Sequence, residues 1–150
     1  MLSVEVIKTL NAVACLHYSA SQWRSCNVTV GEYIPPPFRE VSGLMNRFVD
    51  EVNHGWKKTD AVLLATYVLW KINHIHPFAN GNGRTARVTC FFVLCLKFGG
   101  LVDGDVLLPD RIRANRPEYV RALKHADATS AAGHLDLGPL HALVTRLLGE

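Results

Sequence analysis

The residues best able to do chemistry lie together in one short stretch, His76-Pro77-Phe78-Ala79-Asn80-Gly81-Asn82-Gly83-Arg84-Thr85-Ala86-Arg87. Gly81 and Gly83 permit positive φ and close backbone approach. A glycine loop running into a helix start presents its N–H groups as an anion-binding nest. Arg84 and Arg87 are three apart and share one face of that helix. Alone, the two arginines repel each other and oppose the N-terminal dipole. A bound di- or triphosphate removes both problems, because guanidinium forks match phosphate oxygens. His76, just upstream, is the side chain suited to take a proton near neutral pH. Phosphate binding beside a base points to transfer of a phosphorus group to an acceptor. Each residue singly has a blander reading: a structural histidine, a helix-start turn, a solvated arginine face. Only the combination lifts them. The pattern is not a P-loop, since no Gly-Lys-Ser/Thr follows a strand, and no βαβ unit makes it a dinucleotide fingerprint. His74 and His76 stand two apart, on different faces of a helix and without an evident third ligand, so they are not read as a metal pair.

The elements around this stretch read as helices. Leu2, Val6, Leu10, Val13 and Leu16 predict a helix over 2–17 with those residues inward. Asn27-Val28-Thr29-Val30-Gly31-Glu32-Tyr33-Ile34 is β-prone and is followed by Pro35-Pro36-Pro37, which predicts a short hairpin or flap. Val41, Leu44, Met45, Phe48, Val49 and Val52 predict a second helix to about residue 53, with Gly55 past its end. Thr59 or Asp60 caps a third, 61 to about 74, apolar nearly all round and therefore central. Pro77 disfavours helical geometry at His76 and ends it. A fourth helix runs from near Gly83 to Gly99-Gly100. Residues 101–109 read as loop, 116–126 as a helix with Pro117 in its first turn, and 140–148 as the last helix. Phe78, Trp70, Phe91 and Phe92 are expected in the core, and Trp23 and Trp56 as partly buried loop anchors. The sum is an all-α bundle with one small β-hairpin flap, a single domain over 1–150.

Composition fits that picture. The chain has 150 residues, 49% hydrophobic and 19% charged, enough for one core of its own. A net charge of +3 is too mild to imply nucleic acid. No apolar run reaches the roughly 18 residues of a membrane span. Glu5 and Lys8 stand where a secretory signal would be apolar. Cys15, Cys26, Cys90 and Cys95 show no zinc spacing and read as reduced thiols of a cytoplasmic protein.

The stretch from His76 to Arg87 closely resembles the Fic-domain signature, His-x-Phe-x-Asp/Glu-Gly-Asn-Gly-Arg-x-x-Arg. Tyr33-Ile34-Pro35-Pro36-Pro37 with Leu44-Met45 resembles that family's flap and following helix, and Tyr119-Val120-Arg121-Ala122-Leu123 the helix after its active-site helix. The resemblance implies a small helical fold that moves AMP from ATP onto a Ser, Thr or Tyr hydroxyl of a protein. It implies that His76 is the general base, that Phe78 holds the loop, and that Asn82 and Arg84 belong to the catalytic set. It further implies that Gly81, Asn82, Gly83, Arg84 and Arg87 bind the nucleotide, and that Val28, Thr29, Val30 and Tyr33 pair with an extended piece of the target.

One position departs from the pattern. Asn80 stands where the family usually carries the Asp or Glu that holds Mg²⁺ between the phosphates. Its neutral carbonyl oxygen is a weaker ligand for a hard cation, whether Mg²⁺ or Mn²⁺. Some relatives are restrained by Ser/Thr-x-x-x-Glu-Gly/Asn, whose glutamate pairs with the second arginine, here Arg87. Met1, Val28, Pro36, Arg47, Ala114 and Arg146 stand four residues before the six glutamates, so this chain carries no such brake, which leaves a separate inhibitory partner, a missing segment or no inhibition at all. The main rivals are a non-catalytic nucleotide-binding or interaction module, with Asn80 as the disabling change, and transfer of another phosphate-containing group. Doc-type kinases carry Ala-Asn-Lys-Arg where this chain has Gly81-Asn82-Gly83-Arg84, which argues against that branch.

Overall fold

The computed structural model describes residues 1–17 and 19–149. Seven α-helices and one 3-10 turn follow in order: α1 Val4–Ala14, the turn Phe38–Glu40, α2 Val41–Gly55, α3 Ala61–Ile75, α4 Asn82–Phe98, α5 Leu108–Ala114, α6 Arg116–Ala131 and α7 Gly138–Leu148. Among the described residues β pairing amounts to two isolated bridges, Trp23 with Phe78 and Val30 with Tyr33.

The long helices form for local reasons and persist for packing reasons. Ser3 Oγ accepts the Val6 N–H at 3.2 Å to start α1. Asp60 Oδ1 accepts the Val62 and Leu63 N–H groups at 2.9 and 3.1 Å to start α3. Gly99, at φ +76°, ends α4 in the left-handed conformation that glycine adopts without strain. Helix α3 is the axis of the molecule, as its all-round apolar sequence predicts. Leu69, Ile72 and Ile75 are fully buried on it, and α2, α4, α6 and α7 all pack against it. Its largest interface is with α4, reached through the turn at 76–81. The core is continuous from Leu2 through Met45, Phe48 and Trp70 to Leu143 and Leu147.

Three expectations are corrected. Helix α1 ends at Ala14, and Val13 and Leu16 are 77% and 98% exposed. The inward face is Ile7, Asn11 and Cys15, four apart, because the loop before α4 presses there. Leu108 and Pro109, expected as the end of a loop, instead open α5, Leu108–Ala114. Only Leu108 and Ile112 anchor that short helix, too little periodicity to register in a pattern. The flap is a single reciprocal pair, Val30 N–H to Tyr33 O at 2.9 Å and Tyr33 N–H to Val30 O at 3.0 Å, around Gly31 at φ +60°. No ladder extends from it among the described residues, so the hairpin is reduced to its turn.

Candidate active site

His76 sits at the junction of α3 with the loop to α4, at φ +52°. A non-glycine residue held in this left-handed region stores about 1–2 kcal/mol of strain and needs support. Support comes from a residue that sequence patterns did not single out. Arg24 is 3% exposed, and its Nε–H donates to the His76 carbonyl at 2.8 Å. The same guanidinium donates to Cys26 O at 2.9 Å, to Pro36 O, and more loosely to Ile75 O at 3.4 Å. The Arg24 N–H bonds Pro77 O at 2.9 Å. One buried cation thus ties the histidine corner to both ends of the flap. Burial holds the His76 pKa below the ordinary imidazole value; the Asn73 backbone opposes this and the Arg24 charge adds to it. The ring is therefore neutral near pH 7, with a lone pair to accept a proton.

The loop beyond is held by amides. Asn82, 3% exposed, accepts the Phe78 N–H on Oδ1 and donates from Nδ2 to Phe78 O, both at 2.8 Å. Its side chain is occupied in clamping the turn, so only its backbone N–H faces outward duty. Phe78 is buried beneath, with its ring 5.1 Å from that of Trp23. Asn11, fully buried on α1, donates to Asn80 O at 3.1 Å and Thr85 Oγ1 at 3.0 Å, and accepts the Ser21 N–H at 2.8 Å. Gly81 has φ +77°, and a Cβ there would come within 2.7 Å of the Cys15 Cβ. Both facts require glycine. Gly83 is different: it lies within helical α4, and a Cβ there would sit 3.4 Å from an Arg87 guanidinium nitrogen. Its smallness, rather than a positive φ, is what the site uses.

The start of α4 has no side-chain cap and no acidic residue in its first turn. Its leading N–H groups therefore lack intrahelical partners, an arrangement that favours an anion. Arg84 is exposed, with Nη2 3.5 Å from Cys15 Sγ. Arg87 is half-buried, and burial lowers its pKa. A cavity of about 460 Å³ brings His76, Gly83 and Arg87 together with Tyr33 of the flap and Tyr119 and Leu123 of α6. Tyr33 is an anchor as well as a wall. Its hydroxyl donates to His74 O at 2.6 Å and lies 2.9 Å from His74 Nδ1. His74 Nδ1 and Trp70 Nε1 both meet Asp127 Oδ1 at 2.9 Å. Burial first, then Asp127, raises the Tyr33 pKa above the usual phenol value. Thr29 and Val30 are exposed beside it and Val28 is half-buried.

Asn80 is exposed, and its Oδ1 accepts the Gly81 N–H at 2.7 Å. One neutral oxygen, already bonded, is not a resident site for a hard divalent cation. Among the described residues no group of three His, Cys, Asp or Glu is placed to hold a metal.

Comparison with known proteins agrees with this geometry. The model of the Fic/DOC family matches residues 1–94. The protein adenylyltransferase Fic of Drosophila willistoni is 38% identical over 68 residues, 45% of this chain and 14% of the relative. That of Drosophila melanogaster is 40% identical over 68 residues, again 45% and 14%. The chain thus matches about a seventh of each of these longer proteins. A Fic domain containing signaling protein from Bacteroides thetaiotaomicron superposes with a TM-score of 0.73 at 23% identity, over 99% of this chain and 58% of that one. Fic-1 (residues 134–508) from C. elegans gives 0.72 at 25% identity, over 98% and 41%.

Proposed function

The chain belongs to the Fic/DOC family, and from that premise we propose that it transfers AMP from ATP to a Ser, Thr or Tyr hydroxyl of a target protein. The observation that carries this reading is one cavity shared by a neutral, half-buried His76, the uncapped start of α4 and Arg87. The nucleotide phosphates lie over the N–H groups of Asn82 to Arg84, beside the Gly81 N–H that Asn80 holds, with Arg84 and Arg87 as their guanidinium partners. The target strand docks along the flap at 28–30, which Tyr33 holds against α3. His76 removes the proton of the target hydroxyl. The hydroxyl oxygen attacks the α-phosphorus, the bond to the bridging oxygen of the β-phosphate breaks, and pyrophosphate leaves with that electron pair. The helix start and the arginines stabilise the charge that develops on the phosphate oxygens. Mg²⁺ or Mn²⁺ bound with the triphosphate would take the Asn80 amide oxygen as its ligand from this chain and would supply charge neutralisation on the phosphates. Four free cysteine thiols support cytoplasmic action.

A second reading, a nucleotide-binding module without catalysis, is favoured by one observation: the Asn80 oxygen is neutral and bonded to Gly81. Intact mass after incubation with a nucleotide panel, with Mg²⁺ and Mn²⁺ in parallel, decides between them. A gain of one AMP from ATP, on this chain or on target protein, that disappears in His76→Ala supports transfer. No gain, followed by a gain in Asn80→Asp, assigns the second reading.

A further inference from the structure

Arg87 lines two cavities. One is the His76 cavity. The other, about 490 Å³, lies between α4 and α5 and is bounded by Arg84, Arg87 and Arg113, with Asp110 beside them. All three arginines line this one cavity, Arg87 half-buried and Arg84 and Arg113 exposed at its mouth. The ion pairs found among the described residues, His74–Asp127, His125–Asp136 and Arg146–Glu118, use none of them. The charges facing Arg87 are mixed: Arg113 and Arg116 lower its pKa, while Asp110 and Tyr119 raise it, all behind the larger effect of burial. One carboxylate does not balance this wall, and a multiply charged anion does. Leu108 and Ile112 bury the inner side of α5 and leave Arg113 exposed at the cavity.

We propose that Arg113 is a third phosphate-binding residue, and that the cavity between α4 and α5 receives the β- and γ-phosphates and then the released pyrophosphate. This rests on the transfer reading. When the bond between the α-phosphorus and the bridging oxygen breaks, that oxygen takes the electron pair and the leaving group gains negative charge. A guanidinium on the side away from His76 meets that charge where it appears, and opens a route out that does not cross the flap.

The test is calorimetric binding of inorganic pyrophosphate, ATP and AMP to the full chain. Arg113→Ala, Arg113→Lys and Asp110→Asn are compared with Arg121→Ala, an exposed α6 arginine that gives the same charge change. The expected result is a loss of about 5- to 20-fold for pyrophosphate and ATP in Arg113→Ala, partial recovery in Arg113→Lys, tighter binding in Asp110→Asn, and AMP within about 2-fold throughout. A loss in Arg113→Ala no larger than in Arg121→Ala overturns the proposal, even if AMP transfer is intact. Pyrophosphate binding that depends on Arg113, in a chain that transfers nothing from ATP, upholds the anion site and removes the transfer reading.

Discussion

At the scale of single residues, His76 joins the protonation argument to stability. Burial lowers its pKa from the ordinary value of 6.5, so the folded chain binds fewer protons than the unfolded one between the two values. Stability therefore rises with pH across that window, and below it the difference is fully lost. The same ring serves as base only when neutral. The rate of AMP transfer should be flat at pH 7 and fall only below about 6.5, the unperturbed histidine value, as the ring is protonated. His76→Ala should lose roughly 10²–10⁴-fold in transfer and retain ATP binding. A pH–rate profile with its midpoint above 6.5 contradicts the burial argument. The loop residues were legible because glycines, arginines and a histidine at fixed spacing carry their own chemistry. Asn11 and Arg24 were not, because nothing local distinguishes a buried polar side chain from an exposed one. Their partners, at 80, 85 and 75–77, lie more than fifty residues away in the chain.

At the scale of elements, the site is a joint between the end of α3, the start of α4 and the flap. Periodicity found both helices, since α3 is buried all round and α4 ends on glycines. It overestimated the flap, because β propensity needs a partner strand and only Val30 and Tyr33 find one. What holds the flap is instead Arg24 at its base and Tyr33 on His74. Removing the Arg24 guanidinium leaves the carbonyls of His76, Cys26 and Pro36 without their donor. Arg24→Ala should cost about 2–4 kcal/mol of stability, as buried groups lose charged partners. Arg24→Lys should recover part of that, because an ammonium reaches fewer carbonyls than a planar fork. Chemical denaturation reads the loss. Hydrogen exchange reads its place, with the Val30 and Tyr33 amides speeding up before those of α3. Uniform acceleration across the molecule would mean that Arg24 supports the fold generally rather than this joint.

At the scale of the whole molecule, the phosphate nest interrupts a packed core without weakening it. Helix α4 is buried along Ala86, Cys90, Val93 and Leu94, while Arg84 in its first turn is exposed and no acidic residue there offsets its charge. The charge of the nest thus adds repulsion to the folded state that the unfolded chain, with its arginines apart, does not feel. An anion that binds only the folded chain relieves this and adds its own binding free energy. By mass action a ligand at a hundred times its Kd adds about 2.7 kcal/mol, which is about 5–11 °C in Tm for a chain of this size. ATP should therefore raise Tm by that order, pyrophosphate by less, and AMP least, since it lacks the outer phosphates that Arg84 and Arg87 take. The shift should shrink as salt rises, because the arginines are partly exposed and screened. Differential scanning with the three ligands at one common concentration checks it. Equal shifts for ATP and AMP would place the binding energy in the nucleoside and refute the role given to the start of α4.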